Sequence, residues 1–256
     1  MRYKLDLHVH TEGSPDSRLT LDAVAAAAKK RGIHAVAVSD HNRCPAPEIF
    51  EKPLRDGVLL IPSVEYSTEC GHLLGLFLRR SCHVTGEENG RVSFSEAAEA
   101  IRSAGGLCVL AHPFELTHRS PEEISAQISA HAGELDGIEI FNCRATKKRR
   151  NANDLAAEAV KKLHPDALKT AGSDAHTEGE LGGASVTVDA EKLSLEALRE
   201  ALKNPVEFSC GRCRHMAFAR SQFLQIRKQK RGFTAYCKWL LFASVCVLRT
   251  VKGVFR

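Results

Sequence analysis

The stretch "LDLHVHTEGSPDS", residues 5–17, decides the fold and indicates the chemistry. His8 and His10 stand one residue apart at the end of an apolar run, and Asp16 follows in a turn rich in Gly, Ser and Pro. Because side chains alternate along an extended chain, both imidazoles point to the same side of a strand. Two such imidazoles can bind one cation, so we expect the other ligands to come from elsewhere in the chain.

Seven apolar, β-branched runs predict strands, and helical patterns lie between most of them. The predicted strands cover residues 3–10, 35–41, 58–66, 71–78, 107–113, 137–142 and 168–176. Thr20 and Ser120 are predicted helix N-caps. The alternation predicts an α/β fold with a mainly parallel sheet or barrel. The connection from 66 to 71 is too short for a crossover helix, so that pair is an antiparallel hairpin or an irregular corner.

Nearly every predicted strand places an imidazole or a carboxylate at one rim. In α/β folds the site lies at the carboxyl ends of the strands. Mixed His and carboxylate ligands suit Zn²⁺, Mn²⁺ or Fe²⁺, and nine ligands are about right for three ions. Besides His8, His10 and Asp16, the nine comprise His41, Glu65, His72, which opens its strand where the chain doubles back, His112, Asp174 and His176. Asp40 also lies at this rim, beside His41.

The sequence predicts a cytoplasmic protein without a signal peptide, because Lys4 and Asp6 interrupt the first apolar residues and strand-like sequence begins at once. Nine cysteines lack the spacing of a disulfide framework, which is typical of reduced thiols. Cys143 has no activating neighbour in sequence and is expected to be inert. "CGRC" at 210–213 is a lone CxxC, which disfavours a zinc knuckle. No Gly-rich phosphate loop occurs, so nucleotide binding by such a loop is not supported.

With these residues in hand, the chain resembles the polymerase and histidinol phosphatase family, the PHP domain. The resemblance covers about residues 1–210, and it implies a distorted (β/α)₇ barrel with a trinuclear metal site. The first motif, HxH with a following Asp, falls at His8, His10 and Asp16, and the second, an SDH-like strand end, at Asp40 and His41. The third, a central His, falls at His112, and the closing DxH falls at Asp174 and His176.

The resemblance also implies a set of ligands for each of three ions, which would be Mn, Fe or Zn. The first set is His8, His10, Glu65 and Asp174. The second is Glu65, His72 and His112, with Glu65 bridging. The third is Asp16, His41 and His176. Asp40 is expected to support a ligand imidazole through its other ring nitrogen instead of binding metal.

The expected function is hydrolysis of a small phosphate monoester, such as a nucleotide, a sugar phosphate or a substrate like histidinol phosphate. We expect a hydroxide bridging two ions to attack phosphorus. The leaving alkoxide is stabilised by a metal or protonated from metal-bound water, His176 or His118. Arg144, after the sixth strand, is a candidate phosphate ligand, whereas the basic residues 147–150 are expected to be solvated.

Three other functions remain open. A phosphodiesterase or exonuclease could trim nucleic acid ends, as other family members do. An amidohydrolase also uses HxH on a barrel, but such sites usually carry a bridging lysine where this chain has Glu65. A non-catalytic regulatory module is the third, and the complete ligand set counts against it.

The sequence divides into a PHP domain at 1–211 and a basic, partly amphipathic C-terminal extension at 212–256. The extension holds eleven of the 36 Lys and Arg residues and no carboxylate, whereas the residues before it hold 25 basic and 31 acidic side chains. It is expected to pack on the barrel or a sister subunit, to bind an anionic membrane surface, or to contact nucleic acid or an acidic substrate. Its apolar run "WLLFASVCVL" is too short to span a bilayer. The oligomeric state is not predicted.

Overall fold

A computed structural model of the chain describes residues 1–84, 90–115, 119–145, 151–211 and 215–254, with side chains described as far as 251. The strands are β1 (Arg2–Val9), β2 (Ala35–His41), β3 (Leu54–Arg55), β4 (Val58–Thr68), β5 (Gly71–Leu76), β6 (Leu107–Ala111), β7 (Gly137–Asn142), β8 (Leu168–Gly172), β9 (Ala184–Asp189) and β10 (Glu207–Cys210). The helices are α1 (Leu21–Lys30), α2 (Pro47–Glu51), α3 (Phe94–Ser103), α4 (Pro121–Ala130), α5 (Ala152–Leu163), α6 (Leu195–Ala201), α7 (His215–Lys228) and α8 (Phe233–Val254).

The seven strands predicted from the sequence form a distorted, nearly closed barrel. The sheet order is β10-β9-β1-β2-β4-β5-β6-β7-β8, with β3 paired to β4. Two backbone hydrogen bonds connect the end of β1 to the chain after β8: His10 N–H donates to Ala175, and Asp174 N–H donates to His8. The predicted α/β barrel is therefore confirmed, and the carboxyl ends of its first and last strands are adjacent.

The sheet is less parallel than expected. β4 and β5 form the antiparallel hairpin that the short connection allows, but β5 and β6 are also antiparallel although α3 separates them. β5 therefore runs against its neighbours, which places its first residues at the rim where the other strands end. The sequence analysis missed β3, β9 and β10, of which β9 and β10 extend the sheet beyond β1.

Local signals explain the helices, and their apolar faces pack against the barrel. The Thr20 side chain accepts from the Ala23 N–H at the start of α1, and Ser120 forms a capping box with Glu123 at the start of α4. Both hydroxyl groups satisfy amide donors that the first turn leaves without intrahelical partners. The barrel interior is filled by buried side chains such as Leu5, Ile61 and Leu74.

The basic extension forms two helices that contact each other and the barrel. Lys228 Nζ in α7 donates to the carbonyl oxygens of Glu12 and Ser14, at 3.0 and 2.6 Å. Trp239 Nε1 in α8 donates to the carbonyl of Ala219 in α7 at 2.7 Å. Packing on the barrel, one of the three expectations for this segment, is thus observed.

The ten-residue apolar run lies inside a helix of 22 residues. Residues 233–251 of this helix are long and apolar enough to cross a membrane, by length and composition alone. The run is therefore not the full apolar segment, and its short length does not decide against a membrane-spanning helix.

Candidate metal centre

The HxH motif ends β1 with two fully buried imidazoles whose Nε2 atoms lie 3.1 Å apart. Both rings point to the same side, as the alternation along a strand requires. Each also approaches Oδ1 of Asp174, His10 Nε2 at 3.3 Å and His8 Nε2 at 3.9 Å. The first and last barrel strands thus bring three of the predicted ligands together.

Glu65, in β4, lies at the centre of the site. Its side chain is fully buried, and its two oxygens approach ring nitrogens of five histidines. Oε1 lies 3.3 Å from His8, 2.9 Å from His72 and 3.3 Å from His112, and Oε2 lies 3.4 Å from His10 and 2.9 Å from His41. A carboxylate with ligand candidates around both oxygens has the arrangement that a bridging ligand needs.

Asp16 and His176 form the remaining edge of the site. His176 Nε2 lies 3.1 Å from Asp16 Oδ2, and its Nδ1 lies 2.8 Å from the carbonyl oxygen of Asp174. A carbonyl only accepts, so Nδ1 carries the proton. Nε2 is therefore the nitrogen that faces the site, beside His41 and His10.

The backbone at two candidate ligands is in the left-handed region, with φ of 28° at His112 and 55° at Asp174. Such a conformation costs on the order of 1–3 kcal/mol in a non-glycine residue and persists where the surroundings enforce it. Gly172, two residues before Asp174, lies where a side chain would not fit. A Cβ there would lie 2.3 Å from His8 Cβ and 2.8 Å from Glu139 Oε1. Glycine therefore lets β8 approach β1 closely enough to bring Asp174 beside His8.

Asp40 supports the site indirectly. Its Oδ1 accepts from the Thr11 N–H and from the Ser14 hydroxyl, each at 2.7 Å, and its Oδ2 accepts from the Thr11 hydroxyl. The Ser14 Oγ lies 3.1 Å from His10 Nδ1. The expected direct bond from Asp40 to a ligand imidazole is not among its described hydrogen bonds. Asp40 instead reaches His10 through Ser14.

Two buried carboxylates that the sequence did not predict as site residues, Glu139 and Asp6, form hydrogen bonds with the ligands or with the backbone beside them. Glu139 Oε1 in β7 lies 3.2 Å from His8 Nδ1, and its Oε2 accepts from the His112 N–H at 3.0 Å. Asp6 accepts from the Ser173 N–H and hydroxyl and from the Gly182 N–H. Burial raises the pKa of Asp6 to about 6 against these hydrogen bonds. In the sequence, Glu139 interrupts the apolar run "GIEIFN" and Asp6 interrupts "KLDLHV". A carboxylate within an apolar strand is the feature from which these two residues could have been predicted.

The two HxH histidines have opposite electrostatics. Burial alone lowers the pKa of His8, but the charges of Glu65, Glu139 and Asp174 outweigh it and raise that pKa well above its ordinary value. Burial and the nearby charges of His176 and His41 lower the pKa of His10 to about 3. In the metal-free protein His8 is therefore the positively charged ring, protonated on both nitrogens, and His10 is neutral with one lone pair free.

The remaining groups form a set of coupled charges. Burial opposes the charge on His41 and on His112, yet Glu65 overcomes it and raises the pKa of each to about 9. Burial would raise the pKa of Glu65, but His72, His8 and His41 hold it well below its usual range. The pKa of Asp16 is likewise low despite burial, because His176 bonds to it. Protons on the imidazoles thus balance the carboxylates when no metal is bound.

The donor set fits divalent metal ions. Four groups of three side chains each bring their ligand atoms within 4.8 Å of one another: His8, His10 and Glu65; His8, His112 and Asp174; His41, Glu65 and His72; and His10, His41 and His176. Asp16 Oδ1 and His112 Nδ1 are buried without a hydrogen-bond partner. Buried polar atoms normally have partners, and cations would supply them here.

Arg144 lies at the rim but is engaged by protein groups. Its guanidinium lies 2.7 Å from Glu180 Oε1, donates to the Ser221 hydroxyl of α7 at 3.2 Å, and lies over the Phe218 ring. Glu180 also accepts from the His176 N–H at 3.1 Å. Phosphate binding by Arg144, which stays a prediction, would compete with Glu180. His118 and residues 147–150 lie outside the described residues.

Comparison with known proteins agrees with this geometry. The family model of the PHP domain matches residues 6–168, and the PHP-associated model matches residues 150–205. Uncharacterized protein MJ1587 of Methanocaldococcus jannaschii is 30% identical over 173 residues, which are 63% of this chain and 94% of that protein. A probable phosphatase of Shewanella oneidensis is 26% identical over 206 residues, 72% of this chain and 80% of that protein.

Two solved structures share the fold. A two-domain protein from Bacteroides vulgatus that contains a predicted PHP-like metal-dependent phosphoesterase superposes with a TM-score of 0.60 at 19% identity, over 86% of this chain and 69% of that one. The lesion-specific endonuclease EndoQ of Pyrococcus furiosus superposes with a TM-score of 0.58 at 18% identity, over 82% of this chain and 57% of that one. The family match supports the predicted class, an enzyme that hydrolyses phosphoester bonds. The chain belongs to the PHP domain family.

Proposed function

We propose that this chain is a metal-dependent phosphatase that hydrolyses a small phosphate monoester. The observation that carries the proposal is the position of Glu65, whose two oxygens lie within 3.4 Å of ring nitrogens on five histidines. An imidazole cluster around one bridging carboxylate is suited to several adjacent cations and thus to an anionic substrate group. A phosphoryl group has the charge and the oxygen atoms that such a site would bind.

The proposed site would hold three ions in the ligand sets that the family resemblance implies. His8, His10, Glu65 and Asp174 would hold the first, Glu65, His72 and His112 the second, and Asp16, His41 and His176 the third. When bound, such ions neutralise phosphoryl oxygens and lower the pKa of coordinated water towards neutrality. Mn²⁺, Fe²⁺ and Zn²⁺ all suit this mixture of imidazole and carboxylate.

The exposure of the ligands indicates where substrate approaches. His8, His10 and Glu65 are fully buried, whereas the side chains of His72 and His41 are 31% and 21% exposed. Substrate would therefore meet the second and third ion sites from solvent, and the first would lie beneath them. This arrangement favours a terminal phosphate group, which is compact enough to enter without the rest of the substrate.

His176 serves better as a ligand than as a proton donor. Its Nδ1 proton is held by the Asp174 carbonyl, and its Nε2 faces Asp16. A nitrogen whose lone pair binds a cation has no proton to donate to a leaving group. The proton would then come from solvent or from a group outside the described residues, where His118 lies.

A second candidate is a phosphodiesterase that acts on nucleic acid ends. The basic extension favours it, because α7 contacts the rim through Lys228 and the extension carries no carboxylate. Such a surface would attract a phosphate backbone. The fold shared with EndoQ is compatible with this candidate but does not extend that enzyme's substrate to this chain.

Hydrolysis assays on the purified, Mn²⁺-loaded protein test the proposal. Release of inorganic phosphate reports monoester hydrolysis, and release of p-nitrophenol or of shortened oligonucleotides reports diester hydrolysis. The panel holds mononucleotides, sugar phosphates, histidinol phosphate and p-nitrophenyl phosphate, with bis(p-nitrophenyl) phosphate and a short oligonucleotide as diesters. Monoester hydrolysis that Asp174→Asn abolishes supports the phosphatase. Hydrolysis of diesters alone would replace it with the second candidate, and bound metal without either activity would refute both.

We also propose a reducing cytoplasmic location for the enzyme and residues 1–211 as the domain that carries all of its metal ligands. The eight described cysteines form no disulfide with one another, and the two family models end at residue 205. The free cysteines support the reducing location, and the end of the family match supports the domain boundary.

A further inference from the structure

Helix α8 presents an apolar face to solvent. Of the ten large apolar side chains that are exposed in the described part of the chain, seven lie on this helix. Leu241 is 73% exposed and Leu248 is 61% exposed, and Val245 lies between them on the same face. A soluble monomer rarely leaves so large a contiguous apolar patch in water, and such patches mark interaction sites.

The opposite face of α8 already has a partner. The Trp239 indole donates to the Ala219 carbonyl of α7, and its ring centroid lies 4.8 Å from that of Phe223. Tyr236 also packs edge-on against Phe223, and Cys246 is almost fully buried. Because this inner face holds α8 on α7, the outer face is a separate surface with no partner among the described residues.

The charge around this face identifies its partner. No carboxylate follows Glu207, and Arg227, Lys230 and Arg231 directly precede α8. A second copy of this surface would bring like charges together, which disfavours self-association. Anionic lipid headgroups would instead attract these cations while the acyl chains receive the apolar side chains.

We propose that α8 binds the surface of an anionic lipid bilayer, with its outer face inserted among the acyl chains and its inner face retained on α7. The helix has 22 residues, so it extends about 33 Å along the membrane at 1.5 Å per residue. Lys238 and Arg249 lie along one edge of the apolar face, from which long side chains can reach the headgroups. This binding is independent of the reaction at the metal centre.

Flotation of the full chain with vesicles tests the proposal. Vesicles of phosphatidylcholine alone are compared with vesicles that also contain phosphatidylserine, at low and high salt. We expect the protein to float with the anionic vesicles and high salt to weaken the binding. The double variant Leu241→Glu/Leu248→Glu should lose at least about tenfold in partitioning, because carboxylates oppose both insertion and the anionic surface.

The control is Leu54→Glu, which places a carboxylate at a leucine that is 59% exposed on the barrel. It should float like the unchanged protein. The chain has one tryptophan, Trp239, so unchanged emission in the double variant shows that α8 still packs on α7. Failure to float, or equal flotation of the double variant, would overturn the proposal. A dimer that the double variant dissociates, without vesicle binding, would also overturn it and assign the face to a second copy.

Discussion

Glu139 Oε1 lies 3.2 Å from Nδ1 of His8, while Nε2 of the same ring lies 3.1 Å from His10 Nε2. The carboxylate therefore fixes the ring from behind and leaves the other nitrogen directed into the site. A carboxylate bonded to a ligand histidine sets its tautomer and raises its basicity.

Replacing Glu139 by Gln should weaken metal binding. The amide has no negative charge to raise the basicity of His8, so we expect Mn²⁺ affinity to fall roughly 10–100-fold. Titration calorimetry measures the change. The matched control is Glu134→Gln, which alters another carboxylate–imidazole pair, with His131 at 3.0 Å, outside the site. Equal losses in both variants would contradict a specific role for Glu139.

Metal binding should release protons and strengthen as pH rises. In the metal-free protein Glu65 raises the pKa values of His41 and His112 to about 9, against the effect of burial. Both imidazoles are therefore protonated at neutral pH, and a cation must displace those protons. Calorimetry in two buffers of different ionisation enthalpy counts the released protons. Mn²⁺ affinity that stays constant from pH 6.5 to 9 would refute this competition.

Replacing Gly172 by Ala should damage both fold and site. The new methyl group would lie 2.3 Å from His8 Cβ, and the strands must separate to admit it, at a cost of about 2–3 kcal/mol in the free energy of unfolding. Urea denaturation measures that loss, and reduced Mn²⁺ affinity should accompany it because His8 moves. Gly133→Ala, where a Cβ meets no atom within 4 Å, is the control and should change stability by less than about 0.5 kcal/mol.

Replacing Lys228 by Met should loosen the turn at residues 12–14. The ammonium group donates to the Glu12 and Ser14 carbonyls, and losing these bonds should speed amide exchange in that turn by about tenfold. Hydrogen–deuterium exchange checks this prediction. Lys161→Met removes an exposed lysine charge on α5, away from the turn, and should leave the exchange of the turn unchanged. Unaltered exchange in Lys228→Met would show that α7 does not restrain the turn.

Cys143 should resist alkylation at pH 8. Burial, together with the charges of Cys210, Asp6 and other nearby acids, raises its pKa to about 12, so only about one molecule in ten thousand carries the reactive thiolate. Exposed Cys237 on α8 provides the internal comparison. Peptide mass spectrometry after iodoacetamide should find Cys237 modified first, and equal labelling would contradict the inert assignment of Cys143.

Sequence periodicity located the barrel because each of its seven strands is a local apolar run. Because the ends of the strands share a rim, the strand positions also predicted that His8, Glu65 and Asp174 lie close together. It did not find Glu139, whose role depends on His8, 131 residues away in the chain. Nor did it place Lys228 against the turn at 12–14, because no local pattern encodes a contact between segments so far apart.

Arg144 pairs with Glu180, which accepts from the His176 N–H. These contacts decide where the chain can be cut to make a shorter enzyme. Ser221 and Phe218 of α7 contact the guanidinium of the same arginine. A recombinant fragment that stops at residue 211 would expose this ion pair to water and remove the lysine that restrains the turn before Asp16. Enzyme assays on such a fragment would report a weakened catalyst, and a chimera with another PHP barrel would need matching residues on both sides of this contact.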